Sequence, residues 1–180
     1  MEKRIEQIPF EQVTNRQCGS CTACCVWLGI DELKKYTGAK CKHLRGPAYL
    51  DKRCGIQHSK PVACSTYQCM WKAGWGLDDW QPKQCGILIT PYQDDDATVS
   101  FTVIIFDPAK AQPYLDTITN QLLVLPMTKE IRVIRPQTKK ALLYRDGNVY
   151  NCQLMPADGY ESLTFMAVDD PIGHYKFESK

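Results

Sequence analysis

The sequence predicts an α+β protein: a loop-rich, cysteine-ligated metal module followed by a small, mainly antiparallel sheet with one packing helix. Three observations predict it. Eight of the ten cysteines fall within the 52 residues from Cys18 to Cys69, in a stretch broken by Gly and Pro and short of long periodic segments. From Gly86 onward the texture turns to runs of β-branched and aromatic residues separated by polar turns. Within that second half, Tyr114, Leu115, Ile118, Leu122 and Leu125 fall at helical spacing. The expected division is residues 1–85 for the cysteine module and 86–180 for the β-rich region, the two packed as one unit.

Residues 1–17 form a charged lead-in whose Ile5, Ile8, Phe10 and Val13 are available to dock on the body. Residues 26–30 are expected as a short extended piece. Asp31 is the expected N-cap of a brief helix over 32–36, which Gly38 would end. A longer helix is expected over 62–72, with Pro61 in its first turn, where a missing N–H costs nothing. That helix would carry both Cys64 and Cys69. Strands follow over 86–90 and 98–106, joined by the polar loop 91–97 with its Asp94, Asp95 and Asp96 run, and then an amphipathic helix over 113–125 stopped near Pro126. A strand over 131–134 precedes a hairpin, 140–145 and 149–155, around Asp146-Gly147-Asn148. The last strand is expected over 162–168. No G-x-G-x-x-G or phosphate-cradling loop is present, and neither half shows the alternation of a parallel nucleotide-binding fold.

Composition bounds the function. The net charge of +2 is too weak to imply a nucleic-acid partner. The charge is nevertheless uneven: residues 1–85 hold 13 basic against 8 acidic side chains, and residues 86–180 hold 9 against 12. The cysteine half thus carries a positive surplus that bound thiolates would use. No run of eighteen apolar residues is present, so no membrane partner is expected, and the charged start MEKRIEQIPF lacks a signal-peptide run. The expected compartment is a reducing cytoplasm, where disulfides are rare and metal ligation is favoured.

The cysteines carry the chemistry. C-x2-C lets two thiolates reach one metal from a tight turn, and Cys18, Cys21 and Cys24 repeat that spacing twice. Cys25 follows at once. Adjacent side chains project differently, which argues against one tetrahedral zinc taking both. Eight thiols fit two four-thiolate centres, or one multinuclear cluster, better than a single mononuclear site. The metal ligands are therefore expected to be Cys18, Cys21, Cys24, Cys25, Cys41, Cys54, Cys64 and Cys69, holding zinc or an iron–sulfur cluster. Disulfides and metal buffering are the remaining readings. Cys85 and Cys152 lie outside the pattern and read as small buried apolar residues, with Cys85 also open as an exchangeable ligand.

CGSCTACC, followed by CKHL, RCGIQHSKPVAC and STYQC, resembles the YkgJ-type cysteine-cluster family, a CxxCxxCC zinc- or iron-chelating domain. The resemblance covers roughly residues 17–75 and implies the same eight ligands. Where the family pattern has Tyr and Arg, this chain has Gln57 and Lys60. Longer members continue with Trp and Gly and a strand–helix–strand tail, which residues 71–89 and the later segments resemble. Flagellin lysine methylases carry a similar cysteine domain, but this chain has no methyl-donor motif. Two function classes stay open: a structural-zinc module acting through a protein partner, and an iron–sulfur redox or protein-modifying enzyme. Whether the protein is an enzyme is undecided.

The remaining candidates are weak. His43 and His58 neighbour ligand cysteines and could substitute as ligands, but read first as exposed residues or as hydrogen-bond supports behind the ligands, and His174 reads as inert. Trp71, Trp75 and Trp80 read as packing where the module meets the sheet, with cluster shielding as the functional alternative. Asp78, Asp79 and the 94–96 run read as solvated surface.

Overall fold

The computed structural model describes residues 15–35, 37–45, 54–56, 58–93, 98–157 and 160–174. The expectations placed on Ile5, Ile8, Phe10, Val13 and Asp94 to Asp96 lie outside these residues, as does the departure at Gln57. The chain is α+β. Its centre is one six-stranded mixed sheet in sequential order. The strands are β1 (Ile87–Gln93), β2 (Val99–Ile105), β3 (Thr128–Arg135), β4 (Lys140–Arg145), β5 (Asn148–Ala157) and β6 (Tyr160–His174).

Four neighbouring pairs are antiparallel, and β2 and β3 run parallel. The expected succession of strand 98–106, helix 113–125 and strand 131–134 becomes this one parallel pair, in a sheet that is otherwise antiparallel. Parallel neighbours need a crossover, and residues 106–127 supply one through helices α4 (Pro108–Ala111) and α5 (Leu115–Leu123). The sequence pattern identifies α5 but not α4, which is one turn long and capped by the Asp107 carboxylate accepting from the Lys110 N–H at 3.3 Å. The β4–β5 hairpin turns at Asp146 and Gly147, both at positive φ (51° and 76°). That is the mirror-image turn geometry a two-residue hairpin favours, and Asp-Gly provides it.

Period-two alternation gives the sheet two buried faces. On one, Ile87, Ile89, Phe101, Val103, Ile131 and Val133 pack under Ile118 and Leu122 of α5, together with Met70, Trp80 and Cys85. On the other, Leu88 and Ile104 are direct register partners and pack with Phe106, Ala23 and Cys69. The cysteine module is attached at this second face.

Three expected elements of the module are corrected. Residues 23–27 are helix α1 (Ala23–Trp27), where an extended piece is expected from Val26. Only Ala23 and Val26 of α1 are buried, too short a stripe to register as a period. Residues Asp31–Leu33 form a single 3-10 turn, ended by Lys34 at φ 48° rather than by Gly38, because Lys35 turns back to pair with Ile30. Helix α2 is Val62–Thr66, with Pro61 as its N-cap, so it holds Cys64 but not Cys69. It buries no residue, and its Ser65 and Thr66 hydroxyls donate back to the carbonyls of Pro61 and Val62. Nothing sustains it beyond one turn, and Tyr67 is extended. Just before β1 comes helix α3 (Pro82–Cys85), which the pattern does not reveal. It is closed by Gly86 at φ 70°, where a Cβ would lie 2.5 Å from the Asp107 carbonyl oxygen. Among the described residues no helix is long and apolar enough to cross a membrane.

Candidate metal centre

The site is built around α1. Before it, Cys18-Gly19-Ser20-Cys21 forms a tight turn closed by the Cys21 N–H donating to the Cys18 carbonyl at 2.8 Å, with Gly19 at φ 54°. Cys24 and Cys25 lie on the helix itself, where successive side chains diverge by about 100°. Two carbonyls at the end of α1, those of Val26 (2.9 Å) and Leu28, accept from the Lys35 ammonium, which the fold buries there. The Cys41 N–H donates to the Cys25 carbonyl at 2.9 Å, drawing the 40s segment alongside the helix. Leu44 then bonds back to the Cys41 carbonyl (3.0 Å) and pairs with Cys54.

Segments around β1 hold the first turn from the other side. Gln81 Nε2 donates to the carbonyls of Gln17 (3.3 Å) and Cys18 (3.4 Å), and Lys83 Nζ to Ser20 Oγ (2.5 Å). Arg16 is a strap the sequence gives no sign of. Its guanidinium donates to the carbonyls of Trp71 (3.0 Å), Trp75 (3.1 Å) and Gly76 (2.7 Å), pairs with Asp78, and lies 5.3 Å from the centre of the Trp71 ring. A lone Arg in a charged lead-in has no distinguishing pattern. Trp80 is 4% exposed and its ring is 5.3 Å from that of Trp75, so these tryptophans join the module to the sheet.

All ten cysteines are free thiols. Of the eight expected ligands, Cys24 and Cys25 lie on α1, Cys21 and Cys69 pack at the adjoining sheet face, Cys41 packs with Cys25, and Cys64 lies on α2, while Cys85 and Cys152 pack within the core. Among the described residues no three Cys, His, Asp or Glu side chains converge as a finished cage. His43 is half-buried and His58 exposed. The thiols differ in their surroundings. Burial raises the pKa of Cys21, but its sulfur also accepts from the Ala23 and Lys83 N–H groups. Cys69, pushed by burial to about 11, accepts from the Lys72 and Trp71 N–H groups. Backbone donors of this kind favour the thiolate and orient a ligand sulfur. Cys85 is different: burial pushes it up to about 12, and its S–H donates to the Trp80 carbonyl at 3.2 Å, which marks it as a core thiol.

Cys24 and Cys25 share a side-chain hydrogen bond. It raises Cys24, the donor, and lowers Cys25 to about 7, an effect that the positive charges of Lys35 and Lys60 reinforce against desolvation. Lys60, standing where the resembling family has Arg, thus brings its charge within reach of Cys25. Lys34, Lys40 and Lys42 line, with Lys35, a hollow of about 110 Å³ beside Cys41. The ordinary thiol value is 9.0, so lowering it to about 7 extends the ionised range downward. In the reduced, metal-free protein, iodoacetamide should modify Cys25 well before Cys24, with a rate that rises to half its maximum near pH 7. Peptide mapping of the alkylated chain checks this; equal rates at the two positions would contradict the assigned donor and acceptor.

No family model matches the chain, and no curated protein or solved structure matches it. The reading of the site therefore rests on its own chemistry.

Proposed function

We propose that this protein binds metal through Cys18, Cys21, Cys24, Cys25, Cys41, Cys54, Cys64 and Cys69, as a member of the cysteine-cluster chelating family its sequence resembles. One observation carries the reading. Cys21 and Cys69, 48 residues apart, pack with Ala23 of α1, and Cys25 and Cys41 pack with Val26 of the same helix, while Cys85 and Cys152, outside the motif, are absorbed into apolar cores. The donor chemistry fits: sulfur ligands suit zinc or iron–sulfur centres, backbone N–H groups are aimed at two of them, and two lysines offset thiolate charge.

Structural zinc is the first reading, because the module is made of one-turn helices with little buried apolar surface of its own. A metal would supply the missing folding energy. On this reading the protein acts in a reducing cytoplasm through a protein partner. The second reading, an iron–sulfur centre in a redox or protein-modifying enzyme, draws on the apolar flank at Cys69, where Trp71, Leu88 and Phe106 limit water. Anaerobic purification followed by metal analysis and a visible spectrum separates them. Colourless protein with stoichiometric zinc supports the first; brown protein with iron and sulfide supports the second. Protein that carries no metal and takes up neither zinc nor iron would overturn both.

A further inference from the structure

We propose that Arg132 and Arg145, held by the buried carboxylate of Glu130, form a binding site for an oxyanion, a phosphate or carboxylate group, on the sheet face against which Cys21 and Cys69 pack. The inference uses no cysteine and does not depend on the metal-binding reading.

Register brings the three residues together. Leu88 and Ile104 pack with Cys21 and Cys69, and period-two alternation puts Thr90, Ser100 and Thr102 on that same face. Ser100 is the direct partner of Glu130, and Glu130 of Arg145, while Thr102 is the partner of Arg132. The face therefore changes character along its strands. It is apolar at Leu88, Ile104, Ile134 and Ala141, and polar at Thr90, Thr102, Arg132 and Glu130. The polar part starts beside the cysteine module, where Tyr67 Oη and Thr90 Oγ1 are 3.0 Å apart. Arg132 stands two strands further on, about 10 Å across the sheet.

The charges there do not cancel. Glu130 is 4% exposed, and a carboxylate so buried needs a counter-charge. One guanidinium would supply it, but two are present. Arg145 Nε donates to Glu130 Oε2 at 2.9 Å, and the Arg132 guanidinium is in ion-pair contact with Oε1 without a directed hydrogen bond. The group keeps one net positive charge. Both arginines stay open to solvent, with side chains 36% and 48% exposed.

Arg145 supplies direction. Its Nε is engaged, and its two terminal nitrogens have no partner among the described residues. A guanidinium anchored through Nε has lost much of its rotamer freedom before a ligand arrives. It then presents a planar pair of donors that matches two oxygens of a carboxylate or phosphate. Arg132 adds charge beside it. An ordinary surface ion pair needs neither a buried acid nor a second base.

The test uses the full reduced chain with isotope-labelled arginine, followed by NMR while inorganic phosphate or succinate is added at constant ionic strength. The Arg145 Nε–H signal should shift saturably, and the tighter of the two probes identifies the group the site takes. Arg145→Lys keeps the charge but loses the fork, and should weaken binding at least about tenfold. Glu130→Gln should weaken it too, although it adds a positive charge, because Glu130 positions the guanidiniums. Lys140→Gln removes a positive charge from the opposite face, where Leu142 and Tyr144 pack, and should leave binding unchanged. Binding that survives Arg145→Lys, or strengthens in Glu130→Gln, would mean general charge attraction and would overturn the site. So would shifts that rise without saturation for both anions. The wild-type titration decides even if a variant fails to fold.

Discussion

If the proposed metal site is occupied, stripping it should unfold residues 18–69 while the sheet survives. Structural zinc contributes about 10–16 kcal/mol of apparent binding free energy in small thiolate sites at neutral pH, which in such domains is folding free energy. The module has little to replace it. Its helices α1 and α2 are each a single turn, and α2 buries no side chain. The sheet is independent of that support, with Phe101, Val103, Ile118, Leu122 and Ile131 all at or below 1% exposure. After chelation under reducing conditions, or oxidative removal of an iron–sulfur centre, amide exchange should accelerate throughout the module. Strands β1 to β4 should keep their protection, and the Trp27 environment should change as its stacking on Phe106 is lost. Unchanged protection in the module would mean that metal is not what organises it. Acid should mimic chelation, because protonation competes with metal for every thiolate.

Phe101→Ala should be the most damaging single change in the sheet. Phe101 is fully buried at the middle of β2, opposite Pro91 on β1 and Ile131 on β3. Truncation removes a large apolar side chain from a core closed by α5, and a Phe→Ala change of this kind costs about 3–5 kcal/mol. That is a large part of the ~5–15 kcal/mol that holds a domain of ordinary size together. Urea unfolding followed by far-ultraviolet circular dichroism should show a lower midpoint at an unchanged slope. A loss below about 1 kcal/mol would show that the site is not the packed centre described. Metal content should be unaffected by this change in the protein that remains folded, since Phe101 faces α5 while Cys21 and Cys69 pack with Leu88 and Ile104 on the opposite face.

The second half of the chain was more legible than the first because its signals are local and periodic. The run of β-branched and aromatic residues from Val99 to Ile105 marks a strand whichever neighbour it finds, and Asp146-Gly147 supports the positive φ values its turn needs. Helix α5 shows its apolar stripe directly. In the module, by contrast, every helix is a single turn, below the length at which a period is visible. There the expected helix over 62–72 ended at Thr66, and the expected extended piece from Val26 was helix. The Arg16 strap, which grips carbonyls 55 to 60 residues away, left no local trace.

By itself, the sequence determined the α+β class, most of the strands, and the eight thiols with their order along the chain, because composition, alternation and spacing are properties of the chain alone. The tertiary structure decided which strands run parallel, since that depends on the crossover through α4 and α5. It also decided which thiols are neighbours. Cys69 packs in the same apolar cluster as Cys21 on the sheet face, and Cys41 in the same cluster as Cys25, across separations that no spacing rule covers.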